Sequence, residues 1–312
     1  MNRKKKYAYF ILNLLLILVL TSCSHQKSKN NTGLDDLYFS DLVFKSIEKN
    51  ESILKILENK NPHLLSQIQN DSRDSLLLNF WGESLNFDSG AQKKIINDQI
   101  ISDLQAQFGI KNDNRVVHAG ITHTYGYLFS VLETPYGFKR KRWIDSSLNY
   151  AFSLVGKSLS PEAKEGGLLS NITFFVGKLA FKNKKDQDAL LLLKNVSREV
   201  LNFDYSKIPK LVLEEQIKGA DSKNVILRTT LIHLPIKQDR EENDYLLIYS
   251  IFSSNSNKEK LVTAFPIKEE AFKKITSPMM LGASQPIVLR YNAYVKNFTD
   301  KSCLGVRKML QK

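Results

Sequence analysis

Residues 225–234 (VILRTTLIHL) and 245–252 (YLLIYSIF) decide the fold class of this 312-residue chain. Both are rich in β-branched and aromatic side chains, both have the length of a strand, and a polar segment at 238–243 (QDREEN) separates them. Similar runs flank them at 211–217, 261–267 and 287–295, with a second polar break at 253–257 (SSNSN). Successive strands joined by short polar turns predict an antiparallel meander. Residues 269–275 (EEAFKKI) carry a helical pattern and predict a short crossing helix before the last strand.

Working outward, the first third has a different period. Leu37, Leu42, Val43, Ile47, Ile53, Leu54 and Leu57 recur three and four apart, which suits one or two amphipathic helices. Pro62 interrupts them, and apolar residues resume with a dense patch at Leu76, Leu77, Leu78, Phe80 and Trp81. Residues 91–108 form the clearest helical pattern: Ile95, Ile96, Ile100, Ile101, Leu104 and Phe108 share a face, and Gly109 follows as a helix stop. From 115 to 144 the texture turns aromatic and β-branched. Strands are expected at 116–117, 125–132 and 138–144, with a turn at Thr134-Pro135-Tyr136-Gly137. Another aromatic segment lies at 148–154, Gly166-Gly167 breaks the chain ahead of 172–181, and a helical pattern at 186–200 predicts that 190–193 are buried. The architecture expected is α+β, an N-terminal helical layer packed on a largely antiparallel β-sheet.

The N-terminus carries an address. Arg3, Lys4, Lys5 and Lys6 precede Tyr7 to Phe10 and an apolar run at 11–20, which ends in Leu20-Thr21-Ser22-Cys23. A basic start, a short apolar core and small residues at a cut site make a secretory signal, and the run is too short to span a bilayer. The segment resembles the lipobox of bacterial lipoproteins. The resemblance implies cleavage before Cys23, a diacylglycerol thioether on its sulfur, and an acylated new N-terminus with palmitate-type chains. The division that follows is a signal peptide at 1–22, a polar tether at 23–33 and a single α+β domain at 34–312, with a subdivision near 112 or 205 as the alternative. Ser24 is not the aspartate that implies inner-membrane retention in the enterobacterial pattern, so the outer membrane is expected where there are two membranes.

The formal charge is +13, part of it in the four basic residues ahead of the cut. A basic surface behind a secretory signal points to anionic lipid or acidic glycan rather than nucleic acid. Cys23 and Cys303 are the only cysteines. With Cys23 lipidated, Cys303 has no partner within the chain, and neither a disulfide framework nor a cysteine metal site can be built. Cys303 reads as a small buried hydrophobe.

Two constellations could carry chemistry. His118 and His123 lie with Tyr125 and Glu133 in the 115–144 segment. A separation of five puts the imidazoles on opposite faces of a strand and about 140° apart on a helix. A bulge at Gly120 would be needed to bring them together, and His123 is the member expected to be buried. The second is the basic run Lys139, Arg140, Lys141, Arg142 beside Trp143, joined by Arg290 on the late strand; arginines two apart on one face can clamp phosphate or carboxylate. No Gly-x-Ser-x-Gly, His-Glu-x-x-His or phosphate-cradling loop is present, and no cofactor or metal is called for. These residues favour a lipid-anchored extracytoplasmic protein with a binding or structural role toward an anionic lipid, glycan or envelope protein. The competing reading is a lipid-anchored hydrolase built on His118, His123, Tyr125 and Glu133.

Overall fold

The structure, a computed structural model, describes residues 45, 49–88, 92–111, 116–130, 132–134, 137–138, 158–161, 163–218, 224–234, 244–253 and 258–276. Cys23, Lys139, Arg140, Lys141, Arg142, Trp143, Arg290 and Cys303 lie outside these residues, as do the expected segments at 139–144, 148–154 and 287–295.

In order, the described chain forms α1 (Ile53–Lys60), α2 (Pro62–Ser72), a 3-10 turn (Leu77–Phe80) and β1 (Glu83–Leu85). Next come α3 (Asp98–Gln107) and β2 (Val116–His118), then a helical turn (Ala119–Ile121) that widens into a π-turn (Thr122–Gly126). β3 (Glu133–Thr134) and β4 (Gly137–Phe138) precede α4 (Leu168–Ala180), α5 (Lys184–Leu190) and α6 (Arg198–Leu201). The chain then enters β5 (Lys210–Lys218), β6 (Asn224–Leu234), β7 (Asp244–Ser253), β8 (Glu259–Lys268) and α7 (Glu269–Ile275). This is an α+β fold: helices from the first two thirds stand against an antiparallel sheet.

The sheet is the expected meander, in the order β5-β6-β7-β8, with every pair antiparallel. Strands β6, β7 and β8 are apolar on both sides because both of their faces are buried, whereas Leu211 and Val212 of β5 are exposed. Leu227, Leu231, Leu247, Tyr249, Ile251 and Val262 form one cluster with Leu213, Phe265, Ile267 and Phe272 of α7. At alternate positions Ile232, Leu246, Ile248 and Ser250 are buried too. The outer edge of β8 is met by the 3-10 turn, where the Gly82 amide donates to the Leu261 carbonyl at 2.8 Å.

α4 is the centre of the helical layer. Every residue in it except Lys178 is buried, as a helix apolar all round must be. It touches α2, α5, α6, the π-turn and strands β6 and β7. Trp81 Nε1 donates to Thr173 Oγ1 at 2.7 Å, and Lys210 Nζ reaches the Leu179 carbonyl at its far end.

Several local expectations change. Pro62 does not simply interrupt the helical run; it occupies the first turn of α2, where its missing N–H costs nothing. Residues 172–181, rich in β-branched and aromatic side chains, belong largely to α4. Residues 125–128 are helical instead of extended, since Tyr125 continues the π-turn and the Phe129 amide, in the turn that follows, donates back to the Tyr125 carbonyl. Leu190 and Leu193 are buried, but Leu191 and Leu192 are exposed, because α5 ends there in a tight turn. Gly109 follows α3 at φ +67°, as its position suggested.

The contrast between α4 and the turn after α5 gives a stability test. Phe174→Ala, at the fully buried centre of α4, should cost about 3–5 kcal/mol in urea unfolding. Leu191→Ala should change stability by about 0.5 kcal/mol or less.

Candidate functional site

Most described helices start on their own cap. Ser52, Asn61, Asn97, Asn183 and Ser197 each accept a backbone N–H in the first turn of α1, α2, α3, α5 and α6. α4 starts at Gly167, which has no side chain to give. Its acceptor comes from α2: Asp71 takes the Leu169 and Ser170 amides at 2.8 Å each and the Ser170 hydroxyl at 2.5 Å. Tyr125 completes the set by donating its hydroxyl to the same carboxyl. A Cβ at position 167 would lie 1.9 Å from Asp71 Oδ1, so only glycine lets the carboxyl in. Asp71 reaches this place because it stands on the buried face of α2 with Leu64, Gln67 and Ile68. Burial pushes its carboxyl up to about 6, against the donors from Ser170, Tyr125 and Leu169 that favour the ionised form. Burial, and then the neighbouring Asp71, push the Tyr125 hydroxyl well above its ordinary range, so it stays a donor.

The two histidines have separate partners. His118 ends β2 and is half-buried; its Nδ1 accepts the Gly120 amide at 3.2 Å. Nε2 therefore carries the proton and donates to the Leu78 carbonyl at 2.9 Å. Burial brings this imidazole down to about 4, with Lys260 adding to the shift and the Leu78 carbonyl opposing it. His123 is buried, as expected; its Nδ1 lies 3.0 Å from Thr263 Oγ1 on β8, and its ring packs 5.4 Å from that of Tyr127. The bulge at Gly120 that would be needed to bring the two imidazoles together is absent. The chain turns helical at Ala119, and Gly120 is there for close approach: a Cβ would meet Trp81 Cγ at 3.0 Å. Glu133 pairs through its backbone with Phe138 in the β3–β4 hairpin. His118, His123 and Tyr125 thus share a short stretch of chain, yet they bond to different elements: the 3-10 turn, β8 and α2.

A second buried polar cluster, absent from the sequence reading, crosses the sheet. Arg228 of β6 bonds Glu214 of β5 through Nε at 3.0 Å and pairs with Glu259 of β8, which also accepts the Ser250 hydroxyl of β7. The Glu259 amide donates to Asp186 of α5 at 3.1 Å, and the Arg228 guanidinium lies 4.7 Å from the Phe252 ring centre. Burial pushes the carboxyls of Glu259 and Asp186 up. Among the described residues, no group of three or more His, Cys, Asp or Glu side chains could hold a metal ion. In the fold, these clusters cap a buried helix and tie strands to a helix.

No protein-family model, curated protein or solved structure matches this chain.

The two shifted groups titrate with opposite consequences. Asp71 stands above its ordinary value of 3.8, so its contribution to stability is full below about 4 and is lost as pH rises through about 6. Relative to Asp71→Asn, which cannot titrate, wild type should lose up to about 3 kcal/mol between pH 4 and 7 in urea unfolding. His118 stands below its ordinary value of 6.5, so its contribution is present above about 6.5 and lost as pH falls through about 4. Relative to His118→Gln, wild type should lose stability on acidification. A constant difference for either pair would show that the group titrates alike in folded and unfolded chains.

Proposed function

We propose that this is a lipid-anchored extracytoplasmic envelope protein with a binding or structural role. The observation that carries the reading is the N-terminal series: Arg3 to Lys6, the apolar run at 11–20, and Leu20-Thr21-Ser22 before Cys23. Among the described residues, no helix is long and apolar enough to cross a membrane. The domain would then be held by the lipid on Cys23 and by what it touches.

A role without catalysis is favoured by how the titratable side chains are used. His118 bonds Leu78 and Gly120, His123 meets Thr263, and Tyr125 with Asp71 caps α4. A hydrolase on these residues would need them to converge on one substrate. The ligand class comes from the sequence: Arg140 and Arg142, with Lys139, Lys141 and Trp143, suit an anionic lipid, an acidic glycan or an acidic face of an envelope protein.

Cys23→Ala should leave an unprocessed precursor that takes up no label from a radioactive fatty acid fed to cells; equal labelling of wild type and variant would refute the anchor. Reversing Arg140 and Arg142 together to glutamate should weaken binding to phosphatidylglycerol vesicles or heparin-like glycan at low salt, with the melting temperature unchanged. A lowered melting temperature would instead place the two arginines in ion pairs that hold the fold.

A further inference from the structure

Leu191 and Leu192 are 58% and 62% exposed, the highest values for a large apolar residue among the described residues. They are not a frayed end. The amides of Leu191, Leu192 and Leu193 donate to the carbonyls of Asp188, Ala189 and Leu190, each at 3.1 Å. Leu190 and Leu193 on either side are buried, and the Lys194 amide is fixed to Asp74 Oδ2 at 2.8 Å. Two leucines are therefore presented to solvent by a rigid turn anchored at both ends.

Their surroundings are basic. Lys184 and Lys185 open α5 seven residues before Leu191 and Leu192, a spacing of about two helical turns that returns to the same side. Lys194 follows the turn. All three lysines are exposed. Of the two acids between Lys184 and Lys194, Asp186 is buried and only Asp188 is exposed. Apolar side chains at an exposed turn, flanked in sequence by lysines whose stems can lie along the acyl boundary while their ammonium groups meet headgroup phosphates, suit an anionic bilayer surface.

We infer that the Leu191-Leu192 turn is a membrane-contact element that seats the domain on an anionic lipid surface. The inference rests on the lipid anchor proposed above. Two leucines bind a bilayer weakly by themselves, but a chain already tethered at Cys23 meets the membrane at high effective concentration, so a weak contact is enough to orient it. The anchor supplies retention, and the turn decides which side of the domain faces the lipid.

The test uses the acylated full chain reconstituted in vesicles of phosphatidylglycerol and phosphatidylethanolamine. Cys303→Ser leaves a single labelling site at Leu192→Cys, which takes an environment-sensitive dye; Glu58→Cys, exposed on α1, serves as the reference. On anionic vesicles the dye at 192 should shift to the blue and be quenched by nitroxide-bearing lipids, and the dye at 58 should do neither. Reversing Lys184, Lys185 and Lys194 to glutamate should reduce the quenching at 192. If the dye at 192 behaves like that at 58 while Cys23 carries fatty acid, the inference is wrong and the anchor stands. If Cys23 carries none and the chain washes off the vesicles, the anchor reading fails and takes this inference with it. A blue shift that follows protein density, without nitroxide quenching, would assign the leucines to a contact between copies and overturn the inference.

Discussion

The carboxyl of Asp71 stands in for a side chain that Gly167 does not have. The first amides of α4 open into the protein, away from water, where an unmet donor costs about 1–3 kcal/mol. The acceptor comes from α2 and is braced by Tyr125 of the π-turn, so three elements from separate parts of the chain meet at one acid. The rest of the helical layer follows from where α4 is held. Trp81 reaches Thr173 one turn further along, and Lys210 bonds the other end.

On the sheet side the comparable constraint is a charge. A buried ion pair loses hydration that its own attraction repays only with good geometry, so it is weak grounds for stability. Its geometric effect is plainer. Glu214, Arg228 and Ser250 are direct cross-strand neighbours, and all bear on the same cluster with Glu259. Sliding a strand by one residue would turn its member to the opposite face, where apolar side chains pack. Because both faces of β6, β7 and β8 are buried, apolar patterning alone would tolerate such a slip there, and the polar cluster removes the ambiguity.

The sheet was legible in the chain because its signals are local. Four runs of β-branched and aromatic residues bounded by polar segments became β5 to β8, and Glu269–Ile275 became α7. The centre of the helical layer was not legible, for two physical reasons. Ile172, Thr173, Phe174, Phe175 and Val176 are residues a strand would favour, and a helix buried all round shows no periodic face. Its start signal was also remote: the cap is Asp71, not a residue beside Gly167. One clue to it lay in the sequence, since Asp71 falls in register with Leu64 and Ile68 on the apolar side of α2. An acid at a core position needs donors. For the histidines, the burial of His123 could be read from its neighbours. The π-turn that sends His123 toward β8 and Tyr125 toward α2 leaves no comparable mark.

The two halves of the fold differ in how far the chain must travel to make them. The meander closes through hairpins in which Leu234 pairs with Asp244 and each strand meets the next in sequence. The cap of α4 joins residues 98 and 99 positions apart. Loop-closure entropy for such a span exceeds that of a hairpin by about 2 kcal/mol, and it must be met before any contact returns it. Local pairings also form faster than distant ones. The sheet draws its pairings from neighbouring strands, whereas the buried acid needs α2, the π-turn and α4 all in place before its bonds can form.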